Sequence, residues 1–195
     1  EFQNVLREKN IALALFLNTS YSNKDPIISY FSGVDVEFCA LAIPSKGHAT
    51  LFVPGFEYER TKMKTTIRCV QPMKDLWKTV KQEYHRAKVI GINADVLSVN
   101  EVKALKKEFS TFKDIADEVY ESRSTKTSEE VRRIRESIRI TERLFIEVFK
   151  KLSRKSSEFH SEKDIAHYLL KRTIEEDCTP AFPPIIASGK NASLP

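Results

Sequence analysis

Residues 11–17, Ile-Ala-Leu-Ala-Leu-Phe-Leu, form an unbroken apolar run closed by Asn18, Thr19 and Ser20. A strand with one wet face alternates apolar and polar residues, so a run without alternation predicts a strand buried on both faces. Such a strand needs a layer above it and another below, which points to a mixed α/β domain. The run is the longest apolar stretch in the chain and falls far short of the roughly 18 to 20 residues that cross a bilayer, so no membrane span is expected.

The flanking segments agree with that reading. Residues 38–43 (FCALAI) and 49–53 (ATLFV) bracket Pro44-Ser45-Lys46-Gly47-His48, the pattern of two strands joined by a hairpin loop. Residues 66–70 and 89–93 are further short strands. Residues 73–84 place Met73, Leu76, Trp77 and Val80 at helical spacing, and residues 98–109 place Val102, Leu105 and Phe109 on one stripe behind a Ser98–Glu101 capping box. This alternation predicts a first domain over 1–122. The polar stretch 121–128 has no apolar anchor and reads as the junction.

Past the junction, Thr127 with Glu130 three residues later caps a long helix. Val131, Ile134, Ile138, Phe145, Phe149 and Leu152 recur along it as one stripe, expected to be core. A second helix, capped by Ser161 with Asp164, carries Ile165, Leu169 and Ile174. It stops before Pro180, because the residue preceding a proline is pushed out of helical geometry. The chain then turns extended through 182–189.

Charge adds little. Lys and Arg outnumber Asp and Glu by 32 to 27. The surplus gathers at Arg132, Arg133, Arg135, Arg139, Arg143, Lys150, Lys151, Arg154 and Lys155, interleaved with Glu129, Glu130, Glu136, Glu142 and Glu147. Interleaving favours a solvated helix face over a nucleic-acid surface. Cys39, Cys69 and Cys178 are scattered without a paired spacing, so three buried thiols in a reducing compartment are expected rather than disulfides or a zinc knuckle. No secretory leader precedes the first strand, and a cytoplasmic location is expected.

The candidate sites are weak. Ser188-Gly189-Lys190-Asn191 fails as a phosphate loop, since Pro184 stands where a glycine is needed and Asn191 where Ser or Thr is needed. His48, His85, His160 and His167 lack the i, i+4 spacing that aims two imidazoles at one ion. Glu175-Glu176-Asp177 crowds a helix C-terminus, where the dipole disfavours anions; a solvated helix end is the simpler reading than a ligand set. Cys178 has no histidine at a recognisable family spacing, and no G-x-S-x-G elbow occurs. No catalytic, cofactor-binding or metal-ligating residue is assigned within the chain.

Three stretches carry a resemblance. Arg123, Lys126, Thr127, Glu129, Glu130, Ile134 and Arg135 resemble the opening of the pita-bread catalytic domain of the prolidase and Xaa-Pro aminopeptidase family, related to creatinase. Residues 182–195 (FPPIIASGKNASLP) are similar to the first strand of that domain. Residues 11–53, with Tyr30, Phe31, Ser32 and Gly33, look like the family's N-terminal domain.

The resemblance implies a mixed-sheet creatinase-like domain over 1–122, then over 123–195 the first helices and strand of an incomplete pita-bread α+β domain. It further implies hydrolysis of the bond before proline in Xaa-Pro dipeptides or peptides by two Mn, Co or Zn ions, in a homodimer. In the family a His directly follows the Leu-Pro seen here as Leu194 and Pro195, and the metal ligands (two Asp, one His, two Glu) lie further on. The chain is therefore expected to be a portion of a longer enzyme and inactive alone. Where the family has a glycine after the second helix, this chain has Asp177 and Cys178. The alternative is a non-catalytic pita-bread-like module binding a protein or histone-like partner.

Overall fold

The computed structural model describes residues 1–19, 24–72, 76–153 and 158–193. Ser20, Met73, Arg154, Lys155, Leu194 and Pro195, all used above, lie outside the described residues. The chain divides into two compact units, Glu1–Thr125 and Lys126–Pro195.

The first unit is built on β1 (Leu13–Asn18), in which all six residues are buried. It pairs antiparallel with β2 (Cys39–Pro44), which pairs antiparallel with β3 (Thr50–Phe52), as the hairpin signal requires. On the far side of β3 lies β4 (Arg68–Val70), parallel to it. On the other side of β1 lie β5 (Val89–Ile92) and then β6 (Thr111–Asp114), both parallel. The order is β4-β3-β2-β1-β5-β6, so the apolar run sits in the interior of a six-stranded sheet.

Successive strand side chains point to opposite faces, and β1 feeds two cores in turn. Ala14 and Phe16 join Phe2 and Leu6 of α1 (Phe2–Glu8), Ile27 and Ile28 of α2 (Pro26–Ser32), Tyr58 of α3 (Gly55–Lys62) and Val119 of α6 (Ala116–Ser124). Leu13, Leu15 and Leu17 join Val80 of α4 (Leu76–Glu83) and Leu105 of α5 (Val99–Leu105) on the other face. Each buried Leu, Ile or Phe contributes about 1.5–3 kcal/mol, and the two-sided core is what demands the non-alternating run.

Four helices and one strand of this unit go unmarked by periodicity: α1, α2, α3, α6 and β6. The edge strand β6 has one half-buried residue, Phe112, among exposed ones, too little for a pattern. α2 does carry a local signal. Asp25 caps it by accepting from the Ile27 N–H, Pro26 follows, and Gly33 ends it at φ 71, in the left-handed region open to glycine. Residues 121–124, expected in a junction, are the last turn of α6.

The second unit holds α7 (Ser128–Leu152, 25 residues) and α8 (Glu162–Glu175). Both expected capping boxes are present: Thr127 with Glu130, and Ser161 with Asp164. Two expectations are corrected here. The α7 stripe is not core: Ile134, Ile138, Phe145, Phe149 and Leu152 are 43% to 64% exposed, whereas Leu144 and Val148 are buried. Residues 183–188 form no regular element and pair with no strand, so the expected strand is not formed among the described residues. A third correction concerns the thiols, of which Cys39 alone is buried while Cys69 and Cys178 are half-buried.

Candidate functional site

In the second unit, α8 carries Glu162. Glu162, in the first turn, accepts from the Ser188 backbone N–H at 2.5 Å, the Ser188 hydroxyl at 2.8 Å and the Asn191 amide at 2.9 Å. These hydrogen bonds hold its carboxyl below the ordinary carboxylate range. The failed phosphate-loop motif is thus a short 3-10 turn, Gly189–Ser193, tied to α8 by a carboxylate. The three donors and the lowered basicity they impose make Glu162 a poor general base in this arrangement.

A groove of about 490 Å³ runs beside this tie. Phe145, Phe149, Ile165, Leu169 and Ile185 supply its apolar wall, and His160, Glu162 and Ser188 its polar end. Such a lining suits an apolar group with a polar tip.

Between the same two helices, Glu147 of α7 accepts from Arg172 Nε at 2.9 Å, Arg172 Nη2 at 3.1 Å and the Tyr168 hydroxyl at 2.9 Å. The Arg172 guanidinium holds the Glu147 carboxyl below its ordinary value. Arg172 also reaches Glu175 at 2.6 Å, and Arg143 pairs with Glu176. The acidic run that looked unfavourable at a helix end is therefore matched by cations from α7 and α8. Asp177 adopts φ 53, and the Cys178 N–H returns to the Thr173 carbonyl at 3.1 Å. An aspartate fills the left-handed position expected of glycine, which its short polar side chain tolerates.

The four histidines fall on different segments of the chain. His48 lies in the hairpin loop, His85 beyond the end of α4, His160 ahead of α8 and His167 within it. Among the described residues no group of three or more His, Cys, Asp or Glu could hold a metal ion. The donors present thus do not fit a pair of divalent ions, which needs a shared carboxylate and imidazole set.

In the first unit, the carboxyl ends of β1 and β5 bring Asn18, Asp25 and Asn93 together, all buried. Sequence reading missed this cluster and Glu162 alike. The Asp25-Pro26 step signals a helix start, but the partners of Glu162 lie 26 and 29 residues away and leave no local trace.

Comparison with known proteins fixes the class first. Residues 1–125 match the creatinase/prolidase N-terminal domain, and residues 132–195 match metallopeptidase family M24. The chain belongs to the creatinase/prolidase family. It is similar to the Xaa-Pro dipeptidase of Pyrococcus furiosus, 29% identical over 175 residues, covering 86% of this chain and 47% of that protein. The Xaa-Pro dipeptidase of Pyrococcus horikoshii is 28% identical over 181 residues, covering 88% of this chain and 48% of that protein. Among solved structures, the X-Pro aminopeptidase from Thermotoga maritima superposes with a TM-score of 0.84 at 25% identity, over 98% of this chain and 55% of that one. The chain spans about half the length of the curated relatives it matches. All three proteins are peptidases, which does not favour a non-catalytic binding module.

Proposed function

We propose that this chain is the N-terminal portion of a metal-dependent Xaa-Pro dipeptidase or aminopeptidase. Residues 1–122 are then the creatinase/prolidase-like domain, and residues 123–195 the start of a pita-bread metallopeptidase domain. The observation that carries the reading is the succession of the two family matches along one chain, 1–125 and then 132–195.

In this reading Mn, Co or Zn ions supply Lewis acidity and an activated water for hydrolysis of the bond before proline. The ligands are taken to lie outside these residues, a reading supported by the lack of any metal-competent group of three or more donors among the described residues, so no activity is expected of the 195 residues alone. Their contribution is architectural: the first unit is a two-core domain, and α7 and α8 with the Glu162 tie are part of the catalytic domain. A cytoplasmic homodimer completes the proposal.

The test is an assay of the protein that carries this chain, expressed at the full length of its gene and supplied with Mn²⁺ or Co²⁺. Proline released from an Xaa-Pro dipeptide identifies a dipeptidase, and release of the first residue from a longer Xaa-Pro peptide identifies an aminopeptidase. Absence of any metal-stimulated release from either substrate refutes the reading.

A further inference from the structure

Two segments of the first unit bring cations to one place. Residues 45–50 carry Lys46 and His48, and residues 60–70 carry Arg60, Lys62, Lys64 and Arg68, with no Asp or Glu in either. They meet around a pocket of about 510 Å³. His48 of the hairpin loop, Lys62 in the last turn of α3, Thr66 and Ile67 ahead of β4, and Arg68 and Cys69 within it line the pocket. Among the described residues of the lining, none is a carboxylate. Arg60 is matched by Glu57 at 2.7 Å and Arg68 by Glu83, whereas Lys46, Lys62 and Lys64 form no ion pair among the described residues.

The pocket opens beside a sheet edge. β4 ends the strand order, and the Val53 N–H donates to the Val70 carbonyl at 3.0 Å. Alternate residues of a parallel ladder face the partner strand, so the backbone of Cys69 turns away from β3 and its N–H stands on the open edge. The Lys62 ammonium is near enough to act on the thiol of the same residue: burial pushes Cys69 up, and Lys62 pulls against it. Cations gathered without a lining carboxylate repel one another, and an anion placed among them turns that repulsion into attraction.

We propose that this pocket is an anion site that takes the phosphate group of a small phosphate monoester. Lys62 and Arg68 supply the charge, and His48, Thr66 and the Cys69 N–H the remaining donors. Phosphate suits the set better than a carboxylate does. Its tetrahedral oxygens accept from several directions, as these donors come from a loop, a helix end and a strand edge, and Arg and Lys are its common partners. The Glu83 contact uses Arg68 Nη1, which leaves Nη2 and Nε to donate. Ile67 and the volume leave room for the organic part of a monoester, since pockets of about 300–1,000 Å³ hold small molecules. The site lies wholly in the first unit and does not depend on the peptidase reading.

The experiment uses the protein that carries this chain, at the full length of its gene. It is treated with limiting iodoacetamide in rising inorganic phosphate, with sodium chloride holding the ionic strength constant. Alkylation at Cys69 and at Cys178, both half-buried, is read by peptide mass spectrometry. Phosphate should slow Cys69 saturably, about tenfold at ten times the half-effect concentration, while Cys178 keeps its rate. Phenyl phosphate should protect Cys69 at the same or a lower concentration, and Lys62→Met and Arg68→Met should each abolish protection by either anion. The proposal is overturned by a constant Cys69 rate throughout the phosphate series, by equal slowing of Cys69 and Cys178, or by protection that survives Lys62→Met. Protection by inorganic phosphate but not by phenyl phosphate overturns it as well. If Arg68→Met, which removes the partner of Glu83, does not fold, Lys62→Met decides.

Discussion

Gly91 tests how tightly the sheet packs against the helix layer. It sits in β5 between Ala14 of β1 and Lys113 of β6. A Cβ built there meets Ile115 Cδ1 at 2.9 Å, Ile115 Cγ2 at 3.0 Å and Ile11 Cγ2 at 3.2 Å. Carbon pairs prefer about 3.5–4.0 Å, so Gly91→Ala requires both isoleucines to retreat. They have little room, because Ile115 is 0% and Ile11 is 2% exposed. Overpacking of this kind costs about 1–3 kcal/mol, while relieving a strand of its glycine returns about 0.5–1 kcal/mol, so the net destabilisation should be about 1–2 kcal/mol. The single tryptophan, Trp77, lies in α4 and reports unfolding of the first unit by fluorescence. With a urea slope of about 2 kcal/mol per molar, the midpoint should fall by about 0.5–1 M. Ile115→Val removes the carbon at 2.9 Å and by itself costs about 0.5–1.5 kcal/mol. Combined with Gly91→Ala, it should destabilise by less than the sum of the two. A Gly91→Ala midpoint equal to or above the parent's, or strict additivity in the double variant, would refute the packing argument.

Cys39 is 3% exposed and burial pushes its thiol up to about 12, so a thiol reagent should modify Cys69 and Cys178 in the folded chain and Cys39 only after urea is added. Three thiols reacting together without denaturant would contradict the buried placement. Glu162→Ala should lower the protection factor of the Ser188 amide, whose N–H the carboxylate holds, and acidification should lower it likewise once the intrinsic pH dependence of exchange is divided out. The sign follows from the lowered folded value: the tie is present above the unfolded carboxyl's value and is lost as pH falls through the lowered one. Unchanged protection at Ser188 in the variant would show that the tie does not order the turn.

The elements that the sequence makes legible are those whose signal is local. The two-sided burial of β1, the β2–β3 hairpin and the caps Ser98–Glu101, Thr127–Glu130 and Ser161–Asp164 each depend on residues a few positions apart. The sheet order is different in kind. Val89 and Thr111 become neighbours of one another, and β5 a neighbour of β1, through crossovers whose ends share no pattern. α6 escapes notice because its buried residues, Ala116, Glu118 and Val119, include a carboxylate, and Glu118 is tolerated there by its ion pair with Lys9, far away in the chain.

The sites fail to show for a related reason, and α7 makes the distinction plainest. Helical spacing establishes that Ile134, Ile138, Phe145, Phe149 and Leu152 share a face, since that follows from 3.6 residues per turn. Whether the face is covered depends on what packs against it, and spacing carries no information about that. Leu144 and Val148, from the same helix, are buried while the stripe stays exposed. The Glu162 tie and the Asp25–Asn93 pair follow the same logic, the latter joining residues 68 apart. Periodicity specifies which side chains face together, and only the fold specifies what they face. That is why the family resemblance, which imports a whole fold at once, reaches further toward function than any motif in the chain.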